Sequence, residues 1–472
     1  MVGIIILSLL GFVLVMLTAI TYYLRTVSKQ FEADEERGID VEKKKAKIAS
    51  SQNFVYAALI LVCVCMVAAL YIYVSGTPWE AHLMEWLNIV IRLMHITFGI
   101  AWIGASFYFV FLENALNRTS NVRDELAGNL WAIHGGGFYY LEKYKVAPKT
   151  IPKHLHWFKY EAYFTWLSGF CLLFVVYYFN ASALLIDTNV LDITPLAGIG
   201  IGVVSFVVGW VLYDLLCKSP VKNNSVLFTV TGFLILTGFA YFYSHVFSGR
   251  AAYIHFGAMI GSIMVANVFF VIIPAQKAMV KAAREGVPVN PQLGKNALAR
   301  SIHNNYFTLP VLFVMISNHF PTTFGYENPW LILVIISLGT AGVKHYLNLR
   351  EKGQWAVWIL PVSVVILLAG AFISAPPKDP GACNSKIEFS EVNAIIQNRC
   401  ITCHSSSPTD DVYKAPPNGV IYDTPEDIVR KKDLIMQRVV ITKTMPQNNK
   451  TNITQKERDI IRCWIEQGTL LK

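Results

Sequence analysis

The sequence predicts an all-α protein: a polytopic transmembrane helix bundle of about ten spans, followed by a small helical domain. Three observations carry this. Of 472 residues, 54% are hydrophobic and only 15% charged, whereas soluble domains run nearer a quarter charged. Ten apolar segments are long enough to cross a bilayer, which takes about 20 residues each. After Ala375 the run "PPKDPGACNSK" breaks the last segment, and the composition turns polar.

The ten segments lie at 2–24, 54–75, 84–112, 158–180, 195–217, 224–247, 251–273, 303–321, 329–348 and 354–375. The loops between them alternate in charge. Loops 25–53, 114–157, 218–223, 274–301 and 349–353 hold 22 Lys and Arg, whereas loops 76–83, 181–194, 248–250 and 322–328 hold only Arg250. The positive-inside rule makes the first set cytoplasmic and puts both termini outside. The net charge of +9 is therefore a topology signal and calls for no nucleic acid. The first segment lacks a basic n-region and a clear cleavage site, so it reads as a retained span. Residues 1–53 form this extra span and a charged cytoplasmic linker, 54–375 the main membrane domain and 378–472 the tail domain.

The tail contains "RCITCHS". Cys400-Ile-Thr-Cys403-His404 is the c-type haem attachment pattern. Two thiols two residues apart take one haem vinyl group each, and His404 can reach the iron from one side. Zinc would need two further ligands, and the tail offers no other His and only Cys383 and Cys463 besides. The second iron ligand is then a methionine. Met436 lies in a stretch of helical apolar spacing, which suits core packing. Met445 lies in "TKTMPQNN", a loop, and is the preferred ligand. The tail thus reads as a small helical cytochrome c-like domain with one covalent haem c. Haem c is normally attached on the outer side of a bacterial membrane, where the charge count also puts the tail. The locality expected is the bacterial inner membrane, multi-pass, with a periplasmic haem domain. In that oxidising space Cys383 and Cys463 either pair or stay as two thiols, and both readings are open. Cys63, Cys65, Cys171 and Cys217 lie in apolar runs and read as lipid-facing or packed.

Ionisable groups inside spans are costly and usually face the bundle interior. In the third span Arg92, His95, Gly99, Trp102, Ser106 and Glu113 fall within about 80° of one another at about 100° per residue. This stripe is a packing seam or a functional wall. Arg92, His95 and Glu113 are the catalytic candidates, Arg92 holding an anion and His95 accepting a proton. Alternatively His95 joins His255 or another outer-half His as ligands of a second haem, of b type. Glu161, Thr165 and Ser168, His255 and Ser262, and "HNN" at 303–305 add polar groups on other spans. "HGGGF" at 134–138 reads as a flexible loop beside an interfacial amphipathic helix, "FYYLEKYKV", or as a backbone that approaches a ligand.

Four blocks, "MHITFGIAWIGASFYFVFLENAL" (94–116), "LWAIHGGGFYYLEKY" (130–144), "LHWFKYEAYFTWLSGF" (155–170) and "HNNYFTLPVLFVMISNHF" (303–320), precede the C-x-x-C-H tail. Together they resemble the bacterial membrane-bound urate oxidase, or urate hydroxylase, family from about residue 80 onward. The resemblance implies oxidation of urate to 5-hydroxyisourate. It implies electrons leaving through the haem c domain to the respiratory chain, with a cytochrome c or a terminal oxidase as acceptor and membrane lipid as surroundings. Cys400, Cys403 and His404 carry over from the family motif, with Met445. Two other readings remain: a membrane-anchored cytochrome c carrier or respiratory-complex subunit with no substrate site of its own, and a transporter fused to a redox sensor.

Overall fold

The structure, a computed structural model, describes residues 77–472 except Lys153, 376–380, Ala382, Asn384, Leu470 and Lys472. Before residue 77 it describes scattered positions between 15 and 75, so the expected spans 2–24 and 54–75 and the charged linker lie largely outside the described residues. The chain divides into two compact units, Met1–Leu87 and Asn88–Lys472. In the first, the described positions from 55 to 74 are helical and Val55 and Val74 are buried.

Most of the protein is helical, 69% helix against 4% strand. Helix α1 runs Pro78–Ala115 and is followed by strands β1, Leu126–His134, and β2, Gly137–Tyr144. Then come α2, Tyr160–Tyr178, α3, Pro195–Lys218, α4, Ser225–Ser244, and α5, Gly249–Arg284. Helices α6, Pro291–Ile316, α7, Pro329–Glu351, and α8, Ile359–Ile373, complete the apolar part. Their starts are written in the sequence. The side chains of Thr194, Asn224, Ser248 and Asn290 each accept a backbone N–H in the first turn of α3, α4, α5 and α6.

Six of these helices are long and apolar enough to cross a membrane: α1 to α5 and α7. They correspond to six of the ten expected segments. Of the expected span 303–321, residues 303–316 end α6, which is too polar because His303, Asn304 and Asn305 sit together there, and a short turn follows at Ser317–His319. The last, 354–375, forms an apolar helix of only 15 residues. The exposed faces fit lipid: Val226 and Leu234 on α4 and Leu196 and Val204 on α3 are uncovered apolar side chains of the kind water-facing surfaces avoid in bulk. Helix α5 is the most enclosed, half of its apolar window being buried. Its Ala251, Tyr253, Phe256, Met259, Ile260 and Ile263 form the centre of the main core.

The expected interfacial helix at 138–146 is instead half of an antiparallel β-hairpin. Gly135 and Gly136 both take positive φ, 57° and 80°, and His134 pairs with Gly137. This is the two-residue turn whose twist matches paired strands, and glycine adopts it without strain. Period-2 alternation then puts Trp131, Ile133, Phe138 and Tyr140 on one face. The all-α expectation fails here because those aromatic residues pair across a tight turn.

The tail forms a small helical unit around its own core. Helices α9, Phe389–Arg399, α10, Pro425–Arg430, and α11, Lys432–Ile435 continued by a wider turn Met436–Ile441, precede α12, Gln455–Glu466. Thr424 with Asp427 and Thr454 with Glu457 make reciprocal capping boxes at α10 and α12. Val392, Ile396, Ile428, Ile461 and Trp464 are buried together. Cys383 and Cys463 form a disulfide that ties the start of the tail to α12.

Candidate functional site

In the tail, Cys400 ends α9 and is buried, while Cys403 is half-buried in the turn that follows. Both are free thiols. The peptide N–H of His404 donates to the Cys400 carbonyl at 3.0 Å, which coils the motif into one turn. His404 Nδ1 lies 2.9 Å from the Val420 carbonyl oxygen. A carbonyl only accepts, so Nδ1 carries the proton and Nε2 keeps its lone pair. Met445 packs on the edge of the tail core that includes Cys400, and Met436 is not among the residues of that core. The Met445 backbone is fixed at both ends: its N–H donates to Arg438 O at 3.0 Å and its carbonyl accepts from Arg458 Nη1 at 2.8 Å.

This donor set suits covalent haem and not zinc. Burial pushes the Cys400 thiol up to about 12. Burial, with Asp410 nearby, pushes Cys403 up to about 11. Zinc takes thiolates and usually four ligands, and among the described residues no three metal-ligating side chains come together. Thioether attachment asks for two thiols at this spacing, one imidazole with a free nitrogen and one thioether on a fixed loop; the chain holds all four, with Cys403 half-buried and Cys400 buried.

The loop after Met445 rests on the apolar part. Gln447 Nε2 donates to Ala183 O at 2.7 Å, and Asn448 Nδ2 to Ala183 O at 2.9 Å and Ile186 O at 2.5 Å. Asn189 returns a bond to Asn448 O at 3.2 Å. Gly325 closes against Thr442 and Thr444. The tail therefore touches loops 181–194 and 322–328, both from the set without Lys or Arg. Just beneath lies an aromatic column on α2. Trp166, Phe170, Phe174 and Tyr178 follow one another with ring centroids 5.1, 5.2 and 5.0 Å apart.

The stripe on α1 is divided among neighbours. Arg92 is exposed and, among the described residues, bonds Asn88, one turn back, at 3.0 Å. His95 leans on α2, its Nδ1 2.9 Å from Thr165 O and 3.3 Å from Ser168 Oγ. Gly169 makes room for that ring, since a Cβ there would come within 2.8 Å of it. Trp102 packs into the core, and Ser106 accepts from Asn305 Nδ2 at 3.4 Å. Glu113 pairs with Arg118 and Lys143, joining the end of α1 to the hairpin. The stripe is thus an interhelical seam with different partners along its length.

His255 is fully buried, ringed by Tyr177, Tyr178, Phe206, Tyr243 and Phe247. Its Nδ1 is 2.8 Å from Ala251 O and its Nε2 3.1 Å from the Tyr178 hydroxyl. Both nitrogens are engaged, so this arrangement does not fit an iron on His255, and His95 is held by other partners.

Sequence reasoning singled out His303 and Asn304 but missed the groups that organise them. Arg300 Nη2 meets Asp214 Oδ1 at 2.6 Å, and its Nη1 meets Asn267 Oδ1 at 3.2 Å. Asn267 Nδ2 bonds Asn304 Oδ1 at 2.9 Å and the Tyr213 hydroxyl at 3.2 Å, and that hydroxyl lies 2.8 Å from His303 Nδ1. All but His303 are buried, and Asn267 opens a wider turn of α5 running to Ile272. Such turns often mark functional sites. The signal available was Asp214, a lone acid inside an apolar span.

These features define a polytopic, membrane-type helix bundle carrying a small helical tail. The chain belongs to the family described as urate oxidase N-terminal, whose family model matches residues 81–375. The match covers α1 to α8 and ends where the tail begins. Searches of curated proteins and of solved structures each returned no match.

Proposed function

We propose that this chain is an integral-membrane oxidoreductase that oxidises urate to 5-hydroxyisourate and passes the electrons to a respiratory acceptor through a haem c on its tail. The family match over residues 81–375 is the observation that carries the substrate. Urate and water yield 5-hydroxyisourate, two protons and two electrons, so an electron outlet is required. Bound at Cys400 and Cys403, haem c supplies one-electron uptake and release. His404 is poised for this with Nδ1 committed to Val420. Met445 is held by Arg438 and Arg458, on the opposite sequence flank of the same core.

The seating of Gln447 and Asn448 on Ala183 and Ile186 supports electron exit on the Lys- and Arg-poor side. The aromatic column from Trp166 to Tyr178 spans roughly 18 Å at the helical rise and ends beside that docking turn. It offers a row of neighbouring aromatic rings, one pair stacked and two edge-on, across half of a hydrocarbon layer about 30 Å thick.

The test is anaerobic mixing of the purified, haem-loaded chain with urate. Reduction of the haem spectrum with stoichiometric 5-hydroxyisourate, and no hydrogen peroxide in air, is the expected result. A haem that dithionite reduces and urate does not would leave a membrane-anchored electron carrier instead.

A further inference from the structure

Where α1, α6 and α7 meet, the bundle encloses a lysine with no partner. Lys344 on α7 is 0% exposed, and its Nζ makes no hydrogen bond or ion pair. A lysine near the end of a membrane helix normally snorkels its ammonium to the headgroups; this one does not reach them. Its ammonium sits over the face of Phe107 on α1, 3.8 Å from Nζ to the ring centre. A desolvated cation–π contact is worth about 2 kcal/mol. Taking an ammonium out of water costs several kcal/mol even after relaxation. The aromatic face therefore leaves a deficit.

Two further groups around it are also unsatisfied, and both are acceptors. Asn348, one turn along α7, is 4% exposed with Oδ1 unbonded, and Asn305 on α6 is 0% exposed with Oδ1 unbonded. They belong to the same neighbourhood. Asn305 Nδ2 is bonded to the carbonyl of Ser106, the residue before Phe107, at 3.3 Å, and Asn114, two turns beyond Phe107, reaches Asn348 O at 3.5 Å. The nearest acid on α7, Glu351, accepts instead from Asn114 at 2.9 Å. A buried cationic donor and two carboxamide acceptors are left without hydrogen bonds beside an aromatic ring. Their complement is a planar monoanion that also carries N–H donors.

We propose that Lys344, Asn305, Asn348 and Phe107 form the binding site for the purine substrate as its monoanion. Lys344, seated over Phe107, faces the negative charge, and the two Asn carbonyls accept ring N–H groups. This rests on the urate-oxidising reading and gives that reading its substrate site. It also moves the site away from Arg92, which is exposed.

The test is equilibrium dialysis of urate against the full haem-loaded chain, paired with thermal unfolding in detergent and with urate-driven haem reduction. Lys344→Met is expected to weaken urate binding at least ~30-fold, the loss that follows removal of one buried partner of a charge pair. The same variant is expected to unfold at an equal or higher temperature without ligand, because it removes an unpaired buried charge. A lysine with a merely structural role would do the reverse. Asn348→Asp serves if Lys344→Met fails to fold: it gives Lys344 a carboxylate at i+4 and should abolish urate binding with the fold intact. Unchanged urate affinity in either folded variant, with wild-type haem still reduced by urate, overturns this site and leaves the oxidase reading standing. Wild-type binding that depends on Lys344 without haem reduction does the opposite.

Discussion

The buried pair of Asp214 and Arg300 gives an asymmetric prediction. Removing one member of such a pair usually costs about 3–5 kcal/mol, because the other charge stays buried and unpaired. Here the two survivors fare differently. Asp214→Asn leaves Arg300, whose side chain is 7% exposed, with the neutral Asn267 oxygen and the Tyr213 ring face, 4.9 Å from its guanidinium carbon. Arg300→Met leaves Asp214 still paired with Lys218 at 2.6 Å, and Lys218 is 70% exposed and free to adjust. Asp214→Asn should therefore cost about 3–5 kcal/mol and Arg300→Met about 1–3, since a remaining partner offsets part of the loss. Asp214→Asn with Arg300→Met should lie closer to wild type than the sum of the two, because neither orphan charge survives. Unfolding in mixed micelles by titrated sodium dodecyl sulfate, followed by tryptophan emission, measures all three. Equal costs for the two single variants, or strict additivity in the double, would refute the reasoning.

Three further outcomes are expected. Met445→Ala should retain covalent haem but shift it to high spin or lower potential, whereas Met436→Leu should leave the spectrum unchanged; the reverse pattern in absorption and potentiometry would exchange their roles. Cys463→Ser opens a link between residues 80 apart in sequence and should lower tail stability by about 4 kcal/mol on the loop-closure estimate, read as protease susceptibility of the tail; no change would mean the capping boxes and core suffice. At Asp410, burial opposes the charge, but the Lys450 ammonium and the Tyr413 and Val412 N–H groups outweigh it and hold the carboxyl down to about 2. A depressed folded-state value stabilises above the ordinary carboxylate range and is lost as pH falls through it. The tail should thus lose stability from about pH 4 towards about pH 2, and Asp410→Asn should flatten that slope in circular dichroism melts.

Much of the fold was legible because its causes are local. The lengths of the apolar runs marked α1 to α5 and α7, since a bilayer sets one length for every span. The caps Thr194, Asn224, Ser248 and Asn290 act locally too, but apolar length alone does not single them out, and α6 starts at Pro291, well before the apolar run at 303. The spacing of Cys400, Cys403 and His404 implied its chemistry because both thiols and the imidazole must meet one planar group. Gly135 and Gly136 were read as flexible, while their positive φ makes a hairpin turn, a distinction that depends on whether residues 126–134 and 137–144 pair. The pairing of Cys383 with Cys463, open in the sequence, was decided by how α12 folds back on the start of the tail. The polar stripe on α1 had the right periodicity, yet periodicity says only which face is turned inward. Which neighbour meets each residue follows from the packing of α2, α6 and the hairpin, so His95 went to Thr165 and Glu113 to Lys143. Asp214, Arg300 and Asn267 lie on three separate helices, and Lys344 looks like an ordinary helix-end lysine until the Phe107 ring covers its ammonium. The sequence determined what each helix must bury; only the tertiary structure decided which buried charges find partners and which are left facing an enclosed gap in their pairing, because that depends on contacts between residues far apart in the chain.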